Sequence, residues 1–183
     1  GVARDGRYVP PWMLKLPHMA DDDLHAIIAF LRSEDPIVAA SDASPGGTSQ
    51  PSFLTKLLCR VAFKKLPYPD RRIETPPVTD KVAYGRYLVA ALDCFGCHSA
   101  AWESVNIAEP ERSAGYLGGG NSLTDVRGKS IHSANITFEA ETGIGKWSEA
   151  DLARALRQGF RPDDTPIRAP MSPMDLTDTE VGA

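Results

Sequence analysis

Cys94-Phe95-Gly96-Cys97-His98 is the stretch of this chain whose residue types and spacing point most directly to a chemistry. Two cysteines three positions apart on one helical turn offer their thiols to the same side, with an imidazole adjoining them. This CxxCH arrangement suits covalent attachment of a haem: each S–H adds across one vinyl group, and the histidine then ligates the iron. Cys94 and Cys97 are the expected thioether anchors and His98 the proximal ligand. A bare CxxC would also suit dithiol exchange or half of a zinc site, but the first wants a βαβ setting and the second a matching Cys or His pair. Neither is present, since His18, His25 and His132 are scattered and Cys59 is alone.

A second axial ligand is expected in Ala169-Pro170-Met171-Ser172-Pro173-Met174. A thioether sulfur is a soft, neutral donor that raises the reduction potential of haem iron opposite histidine, and a proline-rich chain favours an extended loop. Met171 is preferred, because Met174 lies close enough to the next helix to belong to its packing. Pairing His132 with the iron instead would give a low-potential bis-imidazole centre.

Three helices are expected to position these groups. Asp80 can cap a helix through Leu92 in which Tyr84, Tyr87, Leu88 and Ala91 follow helical spacing. Gly85 within it is tolerable where another helix passes close by. Ser148 begins a second helix, with Asp151 three positions on and Leu152, Ala155 and Leu156 as its apolar stripe, ending at Gly159. Thr177-Asp178-Thr179-Glu180 is a capping box for a third that would be too short to stand alone.

Composition narrows the function classes. The chain has 183 residues, 42% hydrophobic and 24% charged, with 20 basic against 24 acidic side chains and a formal net charge of −4. That balance argues against a nucleic-acid binder. No run of about 18 apolar residues occurs, so no membrane span is expected. Carboxylates are many, but no acid/base pair and no Ser/His/Asp order stands out. Gly118-Gly119-Gly120-Asn121 lacks the strand and helix of a phosphate cradle and is read as flexible backbone near the haem, within a turn-rich stretch from Ala101 to Lys129.

From about Asp80 to Ala183 the chain resembles the c-type cytochromes. Tyr84-Gly85-Arg86-Tyr87-Leu88 before CxxCH, then Asn135-Ile136-Thr137, then Thr142-Gly143-Ile144-Gly145-Lys146-Trp147-Ser148 look like the periplasmic multihaem (di- or trihaem) cytochromes. The resemblance implies an all-α cytochrome c fold, with short helices packed around a covalently bound haem c and long loops. It assigns Asn135, Thr137 and Trp147 to the haem edge and propionates. It also implies one-electron transfer in a respiratory or dehydrogenase chain, between a donor dehydrogenase and an acceptor cytochrome or oxidase. The expected location is the bacterial periplasm or the outer face of the cytoplasmic membrane, in a complex that can associate with that membrane. The chain departs from the family after Met171, where Pro is more usual, and in ending before the last helix. The alternative is a haem enzyme, such as a peroxidase-like module from which the methionine dissociates.

An internal comparison extends this expectation. Gly1 to Met13 and Gly159 to Met171 share a twelve-residue spacing, each running from Gly through an Arg- and Asp-containing turn to Pro near Met, and each is followed by a helix start. Residues 1–36 therefore read as the C-terminal half of an upstream cytochrome domain, with Met13 ligating the iron of an upstream haem and a helix from Asp21 to Leu31 striped by Leu24, Ile27, Ile28 and Leu31. In the rival arrangement that helix completes the 80–183 domain. Residues 37–79 read as a linker. Ser41 to Pro51 is rich in Ser, Gly and Pro, Phe53 to Leu66 has the pattern of a basic amphipathic helix, and Pro67 to Pro77 is a proline-rich strap.

Overall fold

The computed structural model describes residues 16–41, 50–61 and 70–183. Met13, most of the Ser41 to Pro51 linker, the end of the helix expected to reach Leu66 and the start of the strap lie outside the described residues. The chain divides into two compact units, Gly1–Glu74 and Thr75–Ala183.

In the first unit, helix α1 (Asp21–Leu31) opens on Asp21, Asp22 and Asp23, acidic side chains suited to the positive end of a helix dipole. Its start is tied to the strap: Asp21 N–H donates to the Ile73 carbonyl at 3.0 Å, and Arg72 pairs with Asp22. Pro36 follows, where the Asp35 carboxylate accepts from Ile37 N–H at 2.9 Å and caps a single 3-10 turn. Leu24, Ile27, Ile28 and Leu31 form the expected stripe, and all four are exposed. Helix α2 (Phe53–Val61) covers the described part of the basic amphipathic segment.

In the second unit, helix α3 (Lys81–Ala91) begins where the Asp80 carboxylate accepts from Ala83 N–H. Its inward face buries Tyr84 and Ala91. Asp93 turns the chain through a left-handed conformation (φ 56°) into helix α4 (Cys94–His98), which buries Phe95. Two 3-10 turns, Trp102–Ser104 and Pro110–Arg112, lead to an antiparallel hairpin, β1 (Ser122–Thr124) with β2 (Ser130–His132), in which Leu123 faces Ile131. Strands this short carry little sequence signal, and the hairpin is an addition to the expected helices. Helix α5 (Glu149–Gln158) has a full capping box between Ser148 and Asp151 and stops at Gly159, whose φ of 72° suits a residue without Cβ. Helix α6 (Asp178–Val181) has the second capping box, between Thr177 and Glu180.

Helix α6 is a single turn, so its stability is tertiary. It lies against α3 and α5. Arg157 of α5 donates from Nε to the Leu176 carbonyl at 2.7 Å and pairs with Asp178 at 2.8 Å. A Cβ on Gly85 would stand 3.2 Å from the Ala183 carbonyl oxygen, so what approaches this glycine is the segment after α6 and not a helix. Among the described residues of this unit the buried apolar side chains are few: Tyr84, Ala91, Phe95, Pro110 and Ala155. Leu88, Leu117, Ile136, Ile144, Trp147, Leu156 and Met171 are only half-buried.

Candidate functional site

The single turn of α4 places Cys94 and Cys97 one helical turn apart, with His98 next along. Its geometry is held from outside the turn. Ser99, fully buried, donates from Oγ to the Phe95 carbonyl at 2.7 Å and closes the helix end. Asn121, 2% exposed, donates from Nδ2 to the Gly96 carbonyl at 3.2 Å and accepts from Trp102 N–H at its Oδ1. The Asp93 carboxylate lies over Gly96, 2.7 Å from where a Cβ would stand, and would have to turn aside for any larger residue.

His98 is fixed at both ends of the residue. Its carbonyl accepts from Gly119 N–H at 2.8 Å, and its Nδ1 lies 2.8 Å from the Ala134 carbonyl oxygen. A carbonyl can only accept, so Nδ1 carries the proton and Nε2 keeps its lone pair. That is the supporting arrangement that sets tautomer and ring orientation for a metal-binding histidine. Gly119 makes it possible: with φ at +71°, its Cβ position would fall 2.4 Å from the Ala134 carbonyl. The 118–121 stretch is therefore pinned backbone and not the flexible loop expected from its glycines. Gly120 N–H donates to Ser133, Ser133 N–H to Asn121, and Ile136 N–H to Leu117.

Burial pushes the Cys94 thiol up to about 11 and raises Cys97 as well, with the Asp93 charge adding to both. Reactive dithiols have depressed values, so these cysteines are not arranged as thiolate nucleophiles. Among the described residues no cluster of three His, Cys, Asp or Glu side chains could hold a metal ion. The donor set on this turn fits haem c: two neutral thiols one turn apart and one oriented imidazole nitrogen.

Asn135 and Thr137 follow Ala134 directly. Asn135 Oδ1 accepts from Thr137 N–H at 2.9 Å and from Thr137 Oγ1 at 2.7 Å, and its Nδ2 donates to Thr142. Glu139 closes the same loop by accepting from the N–H groups of Glu141 and Thr142 and from the Thr142 hydroxyl. These bonds hold its carboxyl down at about 2. Trp147, half-buried, donates its backbone N–H to Ile144 at 2.9 Å. The loop thus positions Ala134 and the segment leading into α5. Met171 is half-buried, and Met174, also half-buried, has its N–H bonded to the Leu156 carbonyl at the end of α5 at 2.8 Å. The backbone at Met174 is thereby tied to α5. His132 is exposed at the end of β2, opposite Ser122.

Asn121, Gly119 and Ala134 are the positioning residues that sequence reasoning did not identify. Gly119 and Asn121 lay within a glycine-rich run that could have signalled close backbone approach; Ala134 gave no such sign.

No family model matches the chain. It is 37% identical over 79 residues to a subunit of the nicotinate dehydrogenase of Pseudomonas putida, covering 43% of this chain and 6% of that protein. It is 29% identical to the cytochrome c subunit of the quinone alcohol dehydrogenase of Gluconobacter oxydans, over 87% of this chain and 33% of the relative. The fructose dehydrogenase cytochrome subunit of Gluconobacter japonicus is 33% identical over 55% of this chain and 19% of its own length. The chain spans no more than about a third of any of these three relatives. Over most of its length, the chain is similar to cytochrome c subunits of bacterial dehydrogenases.

Proposed function

We propose that this chain carries one haem c through Cys94 and Cys97, with His98 and Met171 as axial ligands, and relays single electrons within a longer multihaem cytochrome. The observation that carries the reading is His98: its ring is locked by Ala134 on the same turn that bears both thiols. Attachment is redox-neutral, since each S–H adds across a vinyl C=C, sulfur to one carbon and hydrogen to the other. When bound, haem c supplies a one-electron couple. Ala134 holds the His98 proton at Nδ1, which directs Nε2 to the iron and raises its basicity. Met171 would supply the second protein ligand to the iron, and with both held the chain would offer no open coordination position to a substrate. Asn121 and Gly119 keep the attachment turn in place, and Asn135, Thr137 and Trp147 belong to the loop beside the haem edge.

Residues 80–183 form a haem domain of the cytochrome c type, and residues 1–36 close an upstream domain whose iron is ligated by Met13. The donor is a dehydrogenase, as in the named relatives, and the acceptor a further cytochrome or an oxidase. The location is the bacterial periplasm or the outer face of the cytoplasmic membrane. Among the described residues no helix is long and apolar enough to cross a membrane.

The ligand assignment is tested by Met171→Ala beside Met174→Ala in the holoprotein. Met171→Ala removes the weak red absorption band of sulfur–Fe(III) ligation and lowers the potential by a sizeable part of the roughly 0.8 V range that axial ligands span. Met174→Ala keeps both. Loss of the band in Met174→Ala alone would transfer the assignment, and ready CO binding by the reduced wild-type protein would favour a haem enzyme with an open sixth position.

A further inference from the structure

We propose that helix α2 docks on the surface of an anionic phospholipid bilayer. At 100° per residue, Phe53, Leu54, Leu57, Leu58 and Val61 fall on one continuous arc of the helix, and Thr55 and Lys56 fall opposite. All five apolar side chains are exposed, Phe53 at 81% and Val61 at 70%. Residues 50–69 contain Lys56, Arg60, Lys64 and Lys65 and no acidic residue, in a chain whose net charge is −4.

A basic stretch of sequence that carries an apolar arc of Phe and Leu is the pattern of a helix that lies in the headgroup plane. Nine residues rise only about 14 Å, too short for a hydrocarbon core of about 30 Å, so the helix rests on the bilayer without spanning it. Helix α1 makes the contrast. Its apolar stripe is also exposed, but Asp21, Asp22 and Asp23 crowd its first turn and would be repelled by anionic lipid. Charge selects α2 over α1 for this surface. The inference is independent of how the haem is ligated.

The test is co-sedimentation of the full chain with phosphatidylglycerol/phosphatidylcholine vesicles and with phosphatidylcholine vesicles alone. The chain binds the anionic vesicles, releases them in high salt, and binds the neutral ones far less. Lys56→Gln weakens binding about fivefold, the effect of one basic residue at such a surface. A Leu54→Asp/Leu58→Asp variant, altered only at exposed positions, keeps its far-UV circular dichroism and loses binding. Lys56→Gln decides the matter should that variant fold poorly. Equal binding to neutral vesicles, no binding to anionic ones, or binding unmoved by Lys56→Gln would overturn the proposal. So would vesicle-free self-association that the double leucine variant abolishes, which would make a second copy the occupant.

Discussion

His98 shows how much of a site one backbone acceptor can decide. The motif supplies an imidazole, but the Ala134 carbonyl, 36 residues away, determines which nitrogen is available to a metal. That carbonyl sits against Gly119, and any side chain there would collide with it. Gly119→Ala should therefore cost at least the 1–3 kcal/mol or so of a strained backbone position, read as a lower denaturant midpoint with unchanged slope. Asn121 is the other hinge of the turn. Asn121→Ala leaves the Trp102 N–H without its partner and withdraws a donor from Gly96, a loss of about 1–3 kcal/mol for a buried hydrogen-bonded group, measured in the same way. The thiols and the imidazole were legible because they are local in sequence. Asn121, Gly119 and Ala134 were not, because their roles exist only once segments 20 to 40 residues apart are brought together.

At the scale of elements, helices α3, α5 and α6 lie close to where their caps put them. Asp80, Ser148 and Thr177 each accept a backbone N–H of the first turn, and the apolar spacing does the rest. The hairpin was hidden because three-residue strands show no usable alternation, and its ladder depends on a turn in which Asp125 accepts from Arg127 and Lys129 N–H. Ser148→Ala should cost about 1 kcal/mol, as is usual for an N-cap, measured by thermal or chemical denaturation. Acid sensitivity follows from the same devices. Side-chain and backbone hydrogen bonds from Ser148, Thr177 and the 139–142 loop hold Asp151, Glu180 and Glu139 below their ordinary values, Glu139 at about 2. A carboxylate lowered by folding contributes stability that is complete above its unfolded value and fades as pH falls toward its folded one. The melting temperature should thus decline as pH drops from about 4.5 toward 2, the interval between the ordinary and folded values of Glu139. Glu139→Gln should shallow that decline, and a melting temperature indifferent to pH over this interval would contradict the role given to these carboxylates.

At the scale of the whole molecule, the second unit combines well-capped helices with a sparse interior. Phe95 and Tyr84 anchor it, while Leu117, Ile136, Leu156 and Met171 are only partly covered among the described residues. A covalently held porphyrin would supply apolar contact that these side chains do not find among themselves, and chain without it should unfold with reduced cooperativity, visible as a shallower denaturation slope. The most direct measurement is a reduced pyridine haemochrome spectrum combined with intact mass, on chain produced alongside a cytochrome c maturation system. Wild type should carry one haem with both vinyl groups saturated, and Cys94→Ala should show one unsaturated vinyl or no haem. A wild-type chain emerging from that system colourless and at the mass of its polypeptide alone would contradict the account.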